Sequence, residues 1–168
     1  MHEHQAAVYR LCLSVLHDPG AAEDATQESF IAAINALDKY RGDSQFRTWL
    51  FAIALNSSRA HLRRRGRQGR LESTLIENTD WSSGTMPSPE REMMQNEGSQ
   101  ALWLAINQLD EKHRLPIILR YYHEMSTQEI AEILNVNVGT IHSRLNNARI
   151  RLGGELQRQQ TGLGKASQ

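Results

Sequence analysis

Apolar residues return at steps of three and four over most of the first 65 positions, the spacing of a stripe along an α-helix, and strand-like alternation is hard to find anywhere in the chain. From His4 to His17 the stripe is Val8, Leu11, Cys12, Val15 and Leu16. Asp18-Pro19-Gly20 ends that helix and offers Asp18 as the cap of the next, with Pro19 in the first turn, where its missing N–H does no harm. The second helix is expected to run to about Leu37, with Phe30, Ile34 and Leu37 facing inward. A polar loop from Tyr40 to Gln45 leads into a third, expected from near Phe46 to about Arg65, whose apolar face would be Phe46, Trp49, Leu50, Ile53 and Leu62.

After Gly66 the period stops. Residues 66 to about 97 are rich in glycine, serine, proline and asparagine, and Leu71, Leu75, Ile76 and Trp81 follow no sustained spacing. So long a stretch exceeds the usual loop of a compact domain and reads as a linker that joins two domains or lies in a partner's groove. Periodicity resumes at Ala101, Leu102, Ile106 and Leu109. Asp110 is placed to cap a helix through Ile117, Ile118 and Tyr121, with Pro116 expected in its first turns. Ser126-Thr127-Gln128-Glu129 is a capping box opening a short helix to Leu134, and Asn135-Val136-Asn137 makes a turn. A last helix is expected from Val138 to Leu152, stopped by Gly153-Gly154. The reading is all-α: small helical domains at 1–66 and 99–153, a flexible linker at 67–98, and a disordered tail at 154–168.

Composition narrows the class. At 168 residues, 39% hydrophobic and 23% charged, the chain fits one or two ordinary folded units. Its single cysteine, Cys12, excludes an internal disulfide framework and a multi-cysteine zinc site. The longest apolar run, Trp49 to Leu55, is far short of the ~20 residues of a membrane-spanning helix. Met1-His2-Glu3-His4 carries no signal-peptide pattern, and a cytoplasmic location is expected.

Charge adds more once it is divided along the chain. Nineteen basic and nineteen acidic residues sum to zero, yet Asp18 to Glu28 carries four negatives, Arg59 to Arg70 six positives, Leu71 to Gly98 a net five negatives, and the last helix three positives. Neutrality is therefore no argument against nucleic-acid binding, which depends on patches. Three constellations stand out. Ser126 to Leu152 has the form of a helix-turn-helix with Ile130, Ala131, Leu134, Ile141 and Leu145 inward. Its outward set is His142, Ser143, Arg144, Asn146, Asn147 and Arg149, with Thr140 at the helix start and no acid between Val136 and Gly153. An ordinary helical hairpin has no reason to keep one helix free of acids.

The second constellation is Arg59, Arg63, Arg64, Arg65, Arg67 and Arg70, downstream of Tyr40, Phe46 and Trp49. A solvated helix end explains the arginines alone, but arginines beside aromatics are what unpaired bases need, charge for the backbone and rings for stacking. The third is an outer face of Asp24, Gln27, Glu28 and Ile31, in a stretch without lysine or arginine from Leu11 to Asp38. It would repel DNA and suits a basic protein partner better than a purely solvated role. An enzyme is not indicated: the seven histidines are scattered without a metal-pair spacing, and no nucleophile or phosphate-loop motif occurs. No catalytic residue, metal, cofactor or small-molecule substrate is expected. A helix-turn-helix regulator that only binds duplex DNA is the rival reading, and it leaves the second and third constellations unused.

The order Ala22-Glu23-Asp24, Gln27-Glu28 and Phe30, then Phe46-Arg47-Thr48-Trp49-Leu50, Ile53-Ala54 and Asn56, then Leu119-Arg120-Tyr121, Ile130-Ala131 and Val138 to Leu145 resembles bacterial RNA polymerase sigma factors of the extracytoplasmic function (ECF) subfamily. The resemblance covers nearly all of residues 5–152 outside the linker. It implies that the first domain is sigma region two, whose face of Asp24, Gln27, Glu28 and Ile31 would dock on the β′ clamp helices of core RNA polymerase. The same domain would read and melt the minus-ten promoter element through Ala36, Tyr40, Arg41, Phe46, Trp49 and Asn56, with Arg59, Arg63 and Arg64 on phosphates. The second domain would be sigma region four, meeting the β flap and placing Thr140, His142, Ser143, Arg144, Asn146, Asn147 and Arg149 on minus-thirty-five DNA. His142, Asn146 and Asn147 depart from the basic or aromatic residues usual there, and asparagine's geometric match to adenine implies an altered, A-containing element. Ala52 likewise replaces a common basic residue. The acidic linker would thread the polymerase channel, and the resemblance further implies control by an anti-sigma factor, membrane-anchored in many relatives.

Overall fold

Seven α-helices, one 3-10 turn and one π turn build residues 2–72 and 97–163, the part of the chain that the computed structural model describes. The chain divides into two units, one around residues 1–86 and one formed by most of residues 87–168.

The first unit is three mutually packed helices, α1 (His2–Leu16), α2 (Pro19–Ala36) and α3 (Phe46–Glu72). The stripe expected on α1 is its buried face: Val8, Leu11, Cys12, Val15 and Leu16. His17 takes the left-handed conformation that closes α1, and Asp18 then caps α2 by accepting the Ala21 N–H at 2.9 Å. The inward face of α2 differs from the one expected. It is Ala22, Ala25, Thr26, Ser29 and Ala33, while Ile34 and Leu37 are 57% and 52% exposed. Small residues let helix axes approach closely, and each buried hydroxyl donates to the carbonyl one turn back on its own helix. Thr26 donates to the Ala22 carbonyl at 2.6 Å and Ser29 to that of Ala25; Ser58 of α3 does the same to Ala54 at 2.9 Å. Burial pushes the Cys12 thiol in the same core up from its ordinary pKa.

On α3 the core residues are Leu50, Phe51, Ala54, Leu55 and Ser58, with Phe46 and Leu62 at the surface instead of inside. Burying Leu50, Phe51 and Leu55 stabilises the unit by about 1.5–3 kcal/mol each. The helix also passes through Gly66 to Glu72, beyond the end expected near Arg65 and into the first residues assigned to the linker. A glycine inside a helix costs only about 1 kcal/mol, less than a proline would, so it does not compel a stop. The rest of the expected linker, residues 73–96, lies outside the described residues.

The second unit holds α4 (Glu97–Gln108), α5 (Glu111–Ile117), a π turn (Ile118–Tyr122), α6 (Thr127–Leu134) and α7 (Val138–Leu163). Helices α4 and α5 pack on α7 around Ala105, Ile106, Leu109, Leu115, Ile141, Leu145, Ala148 and Leu152. Asp110 stands at the N-cap of α5, but its carboxylate makes no capping bond. It instead meets the buried His113 ring and, at 3.4 Å, Arg151 of α7. The His113 contact holds the Asp110 carboxyl below its usual pKa. Pro116 sits at the sixth position of α5, in its second turn. It withholds the N–H that would bond Lys112, and the backbone after it widens to five-residue bonds such as His123 N–H to Ile118.

The helix-turn-helix forms as its local chemistry dictates. Ser126 N–H donates to Glu129 Oε2 at 2.7 Å and Glu129 N–H returns to Ser126 Oγ at 3.2 Å, closing the capping box. Asn135 ends α6 in the left-handed region, which asparagine tolerates, and Val136 N–H reaches back to the Ala131 carbonyl at 3.0 Å in a Schellman arrangement. Ser126→Ala is expected to destabilise the second unit by about 1 kcal/mol, read as a lowered midpoint of its thermal unfolding. An unchanged midpoint would show that the box carries no weight. Helix α7 does not stop at Gly153-Gly154; it continues to Leu163, so residues 154–163 are helical where a disordered tail was expected. Neither glycine needs a left-handed turn, and no proline follows to end the helix.

Candidate nucleic-acid interfaces and docking helix

The small-residue packing of α2 decides what its other side presents. Because Ala22, Ala25, Ser29 and Ala33 are turned into the core, helical spacing turns Asp24, Gln27 and Ile31 to solvent, and all three are exposed. Ile31 is 60% exposed, and with Ile34 and Leu37 it makes an apolar row flanked by acids. Glu28 is half-buried, because α3 reaches over it. His61 Nε2 lies 3.1 Å from Glu28 Oε2, and Arg64 donates to Oε1 at 3.1 Å. Partial desolvation alone would raise the Glu28 carboxyl, but Arg64 and His61 outweigh it and hold the group below its usual range. Arg65 likewise meets Asp18 at 3.3 Å. The basic end of α3 is thus shared between solvent, where Arg63 and Arg67 stand exposed, and the acids of the α2 region. Arg64, expected on a phosphate, is brought to Glu28.

At the opposite end of α3 the expected rings come together. Tyr40 and Trp49 have centroids 5.0 Å apart, Tyr40 and Phe46 5.8 Å, and Phe46 and Trp49 5.6 Å. The loop that carries Tyr40 is held by its own hydroxyl, which donates to the Ser44 carbonyl at 2.6 Å across the turn at Gly42, whose φ of +77° suits glycine. Arg41 and Asn56 are exposed; Ala36 and Arg59 are half-buried. Sequence reasoning missed a fourth ring, His4 of α1, which lies 5.6 Å from Phe46. Nothing in its spacing marks it, since the proximity exists only once α1 packs beside α3.

On α7 the buried positions Ile141, Leu145, Ala148 and Leu152 recur at four, three and four, which leaves His142, Ser143, Asn146 and Asn147 exposed along the other side. Thr140 and Arg144 are half-buried; the Thr140 carbonyl accepts the Ser143 hydroxyl at 3.0 Å. Arg149 is not simply an outward cation. Its guanidinium rests against Tyr121, a residue that the sequence pattern placed only as part of a helix. Among the described residues no group of three or more metal-ligating side chains converges, and no helix is long and apolar enough to cross a membrane.

Comparison with known proteins assigns both units. The family profile described as sigma-70 region 2 matches residues 1–68, and the one described as sigma-70, region 4 matches residues 99–152. The RNA polymerase sigma-H factor of Pseudomonas aeruginosa is 35% identical over 160 residues, covering 92% of this chain and 83% of its own. The ECF RNA polymerase sigma-E factor of Salmonella typhimurium is 38% identical over 143 residues, 82% of this chain and 75% of that one. Among solved structures, the sigma factor RpoE of Bartonella quintana, in complex with the anti-sigma factor NepR, superposes with a TM-score of 0.74 at 26% identity over 91% of both chains.

Proposed function

The chain belongs to the RNA polymerase sigma factors of the ECF subfamily, and from that premise we propose how its surfaces divide the work of initiation. The outer face of α2, with Asp24, Gln27 and Ile31 exposed and Glu28 half-buried beside them, docks on the β′ clamp helices of core polymerase. The ring cluster of Tyr40, Phe46 and Trp49, with Ala36, Arg41 and Asn56 around it, receives unpaired bases of the minus-ten element, while Arg59 and Arg63 follow the phosphates. Helix α7 enters the major groove at the minus-thirty-five element through Thr140, His142, Ser143, Arg144, Asn146, Asn147 and Arg149, and the second unit meets the β flap.

One observation carries this reading: the surface of a single small unit presents both a cluster of aromatic rings and an acid-and-apolar docking row, in a chain whose other unit is a helix-turn-helix. A duplex-binding regulator needs only the last of these. The work asked of the chain is binding energy rather than bond chemistry. Extruding a base costs a few kcal/mol and stacking returns ~1–3 kcal/mol per base. The chain therefore supplies no catalytic group, and synthesis stays with the polymerase, in the cytoplasm. The Bartonella protein is held by an anti-sigma factor, and we extend that mode of control to this chain, with the α2 face as the surface to be covered.

The test combines the full chain, core polymerase and a promoter duplex carrying a fluorescent base analogue in the minus-ten element. Co-elution with polymerase and a fluorescence rise on opening are expected; a plain regulator gives neither. At the other element, Asn146→Ala and Asn147→Ala are each expected to lower affinity for the preferred minus-thirty-five duplex by about 1–3 kcal/mol and to relax selection at one A·T pair. Selection of an element insensitive to both changes would remove adenine reading by these residues.

A further inference from the structure

We propose that Tyr121 and Arg149 form a phosphate clamp beside the reading face of α7, in which Tyr121 is a positioning residue that presents the Arg149 guanidinium to the DNA backbone. The proposal rests on the reading above, that α7 enters the groove. It assigns Arg149 to the backbone rather than to base edges and gives Tyr121 a part in that contact.

The π turn creates the site. Ile118 and Leu119 are buried and Tyr122 leans on Trp103 at 6.2 Å, whereas Tyr121 is left 56% exposed. A large ring on the surface of a widened turn is unusual enough to need a reason, and π turns tend to sit where a side chain is re-aimed for use. Here the re-aimed ring meets α7. Arg149 Nε donates to the Tyr121 hydroxyl oxygen at 2.9 Å, Nη2 donates to the same oxygen, and the guanidinium carbon stands 5.7 Å from the ring centroid.

Two of the five guanidinium N–H groups are used by this grip, so three remain, and the charge is not neutralised because phenol is neutral. The tyrosine O–H proton has no use toward a guanidinium, which accepts nothing, and is itself a donor. The two side chains thus offer converging donors and one net positive charge, the complement of a phosphate. Arg151, two residues on, is different: its Nη1 faces the Asp110 carboxylate at 3.4 Å, so its charge is matched within the fold. Arg120 points elsewhere, to the Met125 carbonyl at 2.8 Å. Position completes the argument. Arg149 lies seven residues, close to two turns, beyond His142 and flanks the row of Ser143, Asn146 and Asn147, where backbone rather than base edges would meet it. A long flexible cation held before binding loses less freedom on contact.

The full chain, bound to core polymerase, is titrated with minus-thirty-five duplexes at several salt concentrations. Arg149→Ala is expected to weaken binding about tenfold on every sequence tested and to lower the slope of log affinity against log salt by about one. Tyr121→Phe, which keeps the ring and removes the oxygen, is expected to weaken binding three- to tenfold and to have no further effect when Arg149 is already alanine. Arg149→Lys keeps the salt slope but loses the dependence on Tyr121. Thermal midpoints stay at the wild-type value throughout. Wild-type affinity and slope in Arg149→Ala, additive effects of the two changes, or losses confined to one base sequence would each overturn the clamp. Asn146→Ala separates this failure from that of the wider reading: if it weakens binding while Arg149→Ala does not, only the clamp is wrong, and if both are silent, α7 is not the reading helix.

Discussion

Alanine at both Tyr40 and Trp49 is expected to lower promoter opening by about 30-fold or more in a holoenzyme that still assembles. The rings are 5.0 Å apart and half-buried, so neither is sealed in the core. Losing two stacking partners forfeits ~2–6 kcal/mol at ~1–3 kcal/mol per base, and ~1.4 kcal/mol already changes an equilibrium tenfold. The core of the unit lies elsewhere, on Leu50, Phe51, Ala54 and Leu55, so the variant should fold, as its thermal midpoint will report. Tyr40→Phe makes the finer comparison. It keeps the ring and removes only the bond to the Ser44 carbonyl, so a loss of about 1 kcal/mol is expected. Unchanged opening in the double variant, with polymerase binding intact, would place the unpaired bases somewhere else.

The second large effect is expected on α2. Asp24→Lys together with Ile31→Lys should weaken binding to core polymerase by about 100-fold or more and leave the fold untouched. Both side chains are exposed, and surface changes away from packing usually shift stability by no more than ~0.5 kcal/mol. At an interface the same changes remove an apolar anchor and set like charges against a basic partner, each worth about 2 kcal/mol or more. Competitive binding against the wild-type chain, read alongside the thermal midpoint, checks both halves of the expectation. Glu28→Ala is a poorer probe, because that carboxylate also holds His61 and Arg64.

The parts of the fold that sequence made legible are those governed by local chemistry. Asp18, the Ser126 to Glu129 box and the Asn135 turn each act through bonds to neighbours within a few residues, and helical period located α1 and the inner face of α7. What it misjudged was orientation where large and small residues compete for the interior. Ile34 and Leu37 look like core by hydrophobicity, yet the buried positions of α2 are held by alanine, serine and threonine. Hydrophobic character alone cannot separate a residue kept for the core from one kept for a partner. Gly153-Gly154, which the pattern marks as a stop, merely weakens a helix that continues, and α3 likewise runs through Gly66 beyond the loss of its apolar period. Contacts between distant segments, His4 with Phe46 and Tyr121 with Arg149, depend on packing and on a π turn that no spacing rule announces.

The alanine-and-hydroxyl face of α2 has a consequence for how such a chain diverges. Since the interior is closed by small side chains, Ile31, Ile34 and Leu37 on the opposite side carry little of the burden of folding. Sequence drift at these positions is therefore filtered by association alone. A duplicated copy could acquire a new inhibitor, or escape an old one, through substitutions that its own helix bundle would scarcely register, and a lineage of such chains can multiply its regulators without first re-engineering its core.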